Sequence, residues 1–294
     1  MHLLLAQKGT IADSDEAFDL GQSAGDVLFL SAADTEIASV AAAASNSTLA
    51  WRLVNLASLK HPMSIDMWID RTARHARLVV LRPLGGISYF AYLIEALLSA
   101  SRAHGFKLAV LPGDDRPDPG LDAWSTIDRG DCQALWSYLV EAGAANMVGF
   151  VRYAEVMVSG GAKPEAATPL AKAGIWWPQA GVIDVDAWTA LDTGSYGARE
   201  PLPLAAVTFY RALVQSGQTA PVEAMIDALA QRGLRVLPIF VTSLKEPVSA
   251  KLLRSLFAEL SPDVVLNATS FAVVSPGAKN AGTVLDETGA QVFQ

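Results

Sequence analysis

Leu78-Val79-Val80-Leu81-Arg82-Pro83-Leu84-Gly85-Gly86 leads into a helical pattern over residues 87–104, and Gly105-Phe106-Lys107-Leu108-Ala109-Val110-Leu111 follows. Residues 78–82 are a near-continuous apolar run ending in an arginine. A strand covered on both faces needs such a run. In the helical pattern Tyr89, Leu93, Ala96, Leu97 and Ala100 share one face, and Gly105 sits where a C-cap belongs. Residues 107–111 are a second buried strand. Strand, helix and strand in that order predict a βαβ unit with parallel strands.

The alternation extends in both directions. Upstream, residues 26–30 and 51–56 read as strands. The alanine-rich stretch 34–44 reads as a helix, as do residues 64–76, with Ser64 as N-cap and Asp66 in the first turn. Downstream, Pro112-Gly113-Asp114-Asp115-Arg116-Pro117-Asp118-Pro119-Gly120 is a turn-rich loop. Residues 128–159 read as helix in two pieces divided near Gly143 to Asn146. Residues 160–203 are rich in Gly and Pro and carry Gly174-Ile175-Trp176-Trp177-Pro178. From residue 204 strands at 205–210, 234–241 and 263–269 alternate with helices at 219–232 and 248–260. The predicted fold class is α/β, with two mostly parallel, Rossmann-like or flavodoxin-like halves joined by a helical segment and an irregular linker. The predicted domains are 1–125, a helical and linker segment 126–203, and a second α/β domain 204–294. Gly289-Ala290-Gln291-Val292-Phe293-Gln294 reads as a strand without its crossover helix, so the chain is expected to be a fragment of a longer one. The other reading is an edge strand.

Composition narrows the function classes. Of 294 residues, 51% are hydrophobic and 18% charged, which is enough apolar material for a large core. The net charge of -8 gives no general attraction to nucleic acid or anionic membrane. Cys132 is the sole cysteine, so intrachain disulfides and multi-thiolate zinc sites are excluded, and a reducing cytoplasm fits. The apolar run at Leu3-Leu4-Leu5 is too short for a signal peptide, so export is not expected. No apolar stretch reaches the ~20 residues of a membrane span.

General catalytic motifs are missing. Neither a Walker A sequence nor G-x-G-x-x-G occurs, so ATP binding by this chain is not expected. Gly85-Gly86 reads better as a turn that lets the next helix pack than as an anion cradle. His2, His61, His75 and His104 have no metal-ligating helix spacing, and the catalytic and metal-binding residues are unassigned. Asp114, Asp115, Asp118 and Asp122 follow a strand, where open α/β sheets bind ligands, and read equally as a ligand loop or a solvated turn. Arg82, Tyr210, Arg211 and Asn267 fall at strand carboxyl ends. Arginines there suit a ligand carboxylate, or for Arg82 an ion pair with a neighbouring aspartate. Trp176-Trp177 reads as a pocket wall or as core packing. The candidate substrate-binding set is Arg82, Tyr89, Asp114, Trp177, Tyr210, Arg211 and Asn267.

Several segments in order carry a family resemblance. They are His61-Pro62-Met63-Ser64; Arg82-Pro83-Leu84-Gly85-Gly86 with Tyr89-Phe90; Leu111-Pro112-Gly113-Asp114 with Pro117-Asp118-Pro119; Phe209-Tyr210-Arg211; Leu237-Pro238-Ile239-Phe240-Val241 with Ser243-Leu244-Lys245; and Pro262-Asp263-Val264-Val265-Leu266-Asn267-Ala268-Thr269. Together they resemble the N-terminal part of the large, CobN-type subunits of aerobic cobaltochelatase, a family that includes the magnesium chelatase H subunit. The resemblance implies a subunit of a nitrogen–metal bond-forming ligase. Such a subunit binds hydrogenobyrinic acid a,c-diamide and receives Co2+ as substrate metal in cobalamin biosynthesis. It also implies an AAA+ ATPase partner and a companion subunit, which use ATP and Mg2+. By itself the chain is expected to be inactive. Two positions depart from the family pattern: Trp177 stands where a tyrosine is expected before Pro178, and Ser270 where glycine is usual. The alternatives are a porphyrin-binding magnesium chelatase subunit, a non-catalytic ligand-binding module, or a docking module for the ATPase.

Overall fold

A computed structural model describes residues 17–191, 202–269 and 283–294. Ser270 and His2 lie outside these residues. The chain divides into two compact units, Met1–Pro169 and Leu170–Gln294.

In the first unit β1 (Val27–Ser31) leads through α1 (Asp34–Ala44) to β2 (Trp51–Asn55). Then α2 (Pro62–Arg71), β3 (Leu78–Arg82), α3 (Ala91–His104) and β4 (Lys107–Val110) follow. The four strands are parallel in the order β2-β1-β3-β4. All five residues of β1 and of β3 are buried, as their uninterrupted apolar runs require. One face of the sheet packs against α2 and α3 through Ile65, Trp68, Leu93, Ile94 and Leu97. The opposite face packs against α1, α4 (Arg129–Glu141) and α5 (Gly143–Ser159) through Val40, Leu135, Leu139, Met147 and Phe150.

Residues 128–159 therefore complete the core of the first unit, whereas the sequence reading set 126–203 apart as a helical segment and linker between the two α/β halves. The extended segment after α5 belongs to the same unit. Tyr138 donates its hydroxyl to Glu165 O. The amide of Asn146 bonds both backbone groups of Thr168, at 2.9 Å each.

The second unit opens with a hairpin that the sequence reading missed, β5 (Ala173–Trp177) and β6 (Gly181–Ile183). It continues through α6 (Val185–Leu191), β7 (Leu204–Tyr210), α7 (Arg211–Ser216), α8 (Ala220–Ala230), β8 (Arg235–Val241), α9 (Pro247–Leu260), β9 (Val264–Asn267) and β10 (Gln291–Phe293). The sheet order is β10-β9-β7-β8-β5-β6, with β10, β9, β7 and β8 parallel. Read from β7, the parallel strands repeat the first unit's order: second, first, third, fourth. Both units thus carry a switch point beside their first strand, where successive crossovers pass to opposite faces. Trp188 of α6 is fully buried and donates to Val236 O at 2.9 Å, a carbonyl that β5 does not reach.

Two local expectations change. Helix α2 starts at Pro62, and its N-cap is His61, whose Nδ1 accepts from Met63 N at 3.1 Å. Ser64 is buried and accepts from Phe18 N instead. Residues 87–89 form a 3-10 turn ahead of α3. No helix among the described residues is long and apolar enough to cross a membrane.

Candidate functional site

The carboxyl edges of parallel strands are where open α/β sheets meet ligands. In the first unit Ser31, Asn55 and Arg82 end β1, β2 and β3 at one register level. All three are tied back to protein. Asn55 Nδ2 donates to Asp34 Oδ1 at 2.6 Å, and Ser31 Oγ donates to Glu36 Oε2 at 2.7 Å. Arg82, only 2% exposed, pairs through Nη1 with Glu36 Oε1. It also donates from Nε to Pro112 O at 3.0 Å and from Nη2 to Asp114 O at 3.3 Å. Burial holds the guanidinium pKa below its usual value, although Glu36 and Asp114 oppose that shift by their charge. Because α1 begins beside the switch point, its first-turn acids Asp34 and Glu36 sit where an external anion would otherwise meet the helix N-terminus.

Arg82 is therefore a positioning residue for two loops, and its partner is Glu36 rather than an aspartate side chain. The loops meet backbone to backbone. A Cβ on Gly113 would lie 2.6 Å from Pro83 O and 2.7 Å from Leu84 Cα. Trp136 Nε1 adds a bond to Asp114 O at 3.0 Å.

The acidic cluster is turn and cap chemistry. Asp114 accepts from Arg116 N, and Asp118 from Gly120 N. Asp122 faces Arg129 at 3.3 Å. Among the described residues no group of three or more His, Cys, Asp or Glu is placed to hold a metal ion. The Asp114 side chain is itself exposed. A depression lined by Leu111, Pro117, Asp118, Cys132 and Trp136 encloses about 50 Å3. Pockets for small organic ligands run to ~300–1,000 Å3, so it does not seat a macrocycle. Burial raises the Cys132 thiol pKa, which leaves it a packing group.

Tyr89, like Asp114, is a sequence candidate of this unit whose side chain is open to solvent. It lies 79% exposed on the 3-10 turn over Gly85, whose φ of +87° suits glycine alone. Leu84, Tyr92 and Met63 are exposed on the same loop or on the first turns of α3 and α2.

In the second unit Trp177 is half-buried against the core on β5, while Trp176 meets Phe209 edge-on at 6.5 Å. Both side chains thus make core contacts. Tyr210 ends β7. Arg211 opens α7 and donates to Ala171 O and Leu170 O at 2.9 Å each, anchoring the entry to β5. Asn267 ends β9 beside Thr208, at the switch point. Its Oδ1 accepts from Thr208 Oγ1 at 2.9 Å, Thr269 Oγ1 at 2.7 Å and Thr269 N at 3.1 Å.

Sequence reasoning found the strand-end positions but missed Ser31, Glu36, Thr208 and Thr269. The acidic first turn of α1 was the visible signal for Glu36. Nothing local in the sequence pointed to the threonines.

The family described as CobN/Magnesium Chelatase matches residues 136–294. The aerobic cobaltochelatase subunit CobN of Sinorhizobium sp is 58% identical over 298 aligned residues, covering 100% of this chain and 23% of that protein. The subunit of the same name from Pseudomonas aeruginosa is 30% identical, covering 95% of this chain and 22% of that protein. The chain thus spans less than a quarter of the length of these relatives. Among solved structures, the catalytic subunit of cobaltochelatase from Mycobacterium tuberculosis is similar with a TM-score of 0.61 and 23% identity. That match covers 87% of this chain and 19% of that one, and it speaks for the fold. Taken with the doubled α/β architecture, the match over more than half of the sequence means that this chain belongs to the CobN/magnesium chelatase family.

Proposed function

We propose that the chain is part of the large subunit of an ATP-dependent cobaltochelatase, which binds hydrogenobyrinic acid a,c-diamide and accepts Co2+ as substrate in cobalamin biosynthesis. The observation that carries this reading is the 58% identity to a CobN cobaltochelatase subunit along the whole chain. The reaction is a ligation forming nitrogen–metal bonds. The ring nitrogens lose protons as the hydrated metal ion loses water. Within this reading an AAA+ ATPase and a companion subunit use ATP and Mg2+, and the complex works in the cytoplasm. The chain alone neither hydrolyses ATP nor inserts cobalt. The lack of a phosphate-binding sequence motif supports that division of labour.

The contacts proposed for the precursor are taken unit by unit: Tyr89 as an exposed aromatic face of the first, and, independently, Asn267 as a polar contact of the second. Asp114, Trp177, Tyr210 and Arg211 are further candidates, and Arg82 acts only by holding the loops. The test is a fluorescence titration of the chain with hydrogenobyrinic acid a,c-diamide and, separately, with a porphyrin. Saturable corrinoid binding with weaker porphyrin binding is expected. The reverse preference would assign the chain to the magnesium branch. Binding of the ATPase subunit with no pigment bound at all would make it a docking module.

A further inference from the structure

The two switch points share a topology but not a chemistry. In the first unit the paired residues Ser31 and Arg82 find acceptors in the protein, and α1 supplies the counter-charge. The equivalent pair in the second unit is Thr208 and Asn267. Here α7 carries no acid in its first turn. Oδ1 of Asn267 is occupied by three donors, which fix the amide plane and its O/N assignment, because a backbone N–H must meet an oxygen. Nδ2 is the opposite arm of that plane and points away from Thr208 and Thr269. It makes no hydrogen bond among the described residues, although Asn267 is only 7% exposed. The three inward bonds hold this amide donor in one orientation, with no partner among the described residues. It is not sealed from solvent, since no buried side-chain nitrogen or oxygen in the described structure lacks a partner.

We propose that the carboxyl edge of the second sheet, between β7 and β9, binds a ligand oxygen of a carboxylate or carboxamide group through Asn267 Nδ2. Thr208 and Thr269 preorganise the donor, so little rotamer freedom is lost on binding. The identity of the ligand rests on the corrinoid reading, because the precursor's side arms are carboxylates and carboxamides. The site itself rests on the geometry. Asn267→Asp is the informative variant. It keeps an oxygen for the three inward donors and replaces the outward N–H₂ with an acceptor that repels a ligand oxygen.

The experiment follows the Asn267 side-chain amide by 15N NMR in the chain, identified by its absence in Asn267→Asp. The probes are hydrogenobyrinic acid a,c-diamide, acetate and acetamide. Corrinoid saturation should shift the Asn267 signals, and Asn267→Asp should bind it at least about tenfold more weakly, with melting unchanged. A larger response to acetate or to acetamide tells which side-arm group is taken. Corrinoid binding with unmoved Asn267 signals, or equal binding by a folded Asn267→Asp, overturns the site and leaves the corrinoid reading intact. Shifts with acetate or acetamide but no corrinoid binding uphold the site and overturn the corrinoid reading. No shift with any probe overturns the site. The wild-type NMR titration decides the matter even where the variant does not fold.

Discussion

Arg82→Ala tests whether the strand-end arginine holds the fold or a ligand. The guanidinium is 2% exposed and the Glu36 side chain 16% exposed, so water does little to screen their pairing. Removing the arginine leaves a largely buried carboxylate with Ser31 as its remaining side-chain partner among the described residues, and it strips a donor from Pro112 O. Breaking a buried pair from one side costs about 3–5 kcal/mol. In a domain of this size each kcal/mol moves the melting temperature by about 2–4 °C, so the first unit should melt about 6–20 °C lower. Glu36→Ala should cost a similar amount, because it strands the cation. The double variant Arg82→Met, Glu36→Leu should be closer to wild type than either single change, since it buries no unpaired charge. Circular dichroism melts and urea titrations of the wild type and the three variants measure these differences. A loss below about 1 kcal/mol, the range of solvent-exposed ion pairs, would refute the buried-pair argument. So would unchanged melting together with weakened corrinoid binding, which would return Arg82 to ligand contact.

Gly113→Ala drives a methyl into backbone of the 83–84 loop, with no flexible side chain to yield, and should cost about 1–3 kcal/mol in urea unfolding. Asn146→Ala removes both bonds that hold Thr168 to α5, so limited proteolysis between residues 160 and 169 should speed up while helix content is retained. Asp131 gives a pH signature. Burial pushes its pKa up, but hydrogen bonds from Lys163 and Tyr153 outweigh that and leave it below the ordinary 3.8. A lowered folded-state value contributes stability that is present above pH 3.8 and lost as pH falls through the folded value. The acid limb of the unfolding curve should therefore lose steepness below pH 3.8 in Asp131→Asn.

The parts of the fold legible in the sequence were those with one dominant signal. β1, β3, β4, β7 and β8 are buried on both faces, so their apolar runs stood out, and Gly105 closed α3 in the left-handed conformation its position suggested. The β5–β6 hairpin was missed because its strands are short and its residues, Trp176 and Trp177 among them, also fit a pocket wall. The start of α2 was misplaced because a serine near a helix start outweighed Pro62, although proline at the first helical position is the stronger mark. The candidate site was legible only as positions. Arg82 and Asn267 both end strands as read, yet what each does depends on residues 46 and 59 positions away. Pairing at that separation is set by crossover and register, which no local spacing carries.

The repeated strand order turns those two residues into a controlled comparison. Each closes the third strand of a parallel set and pairs with the first strand, Arg82 with its last residue, Ser31, and Asn267 with Thr208, two residues before the end of β7. What differs is the helix that follows the first strand. Where α1 brings Glu36, the strand-end donor is satisfied inside the protein, and its removal should be felt in stability. Where α7 brings no acid, the strand-end amide keeps an outward donor, and Asn267→Asp should be felt in binding. Two substitutions at one topological position thus have opposite expected readouts. If both lowered stability alike, the unmet donor of Asn267 would be a packing feature and the difference between the two switch points would carry no function. If Arg82→Ala lowers melting and Asn267→Asp weakens binding, the acid in the first helical turn is what decides whether a switch point in this fold faces inward or toward a ligand.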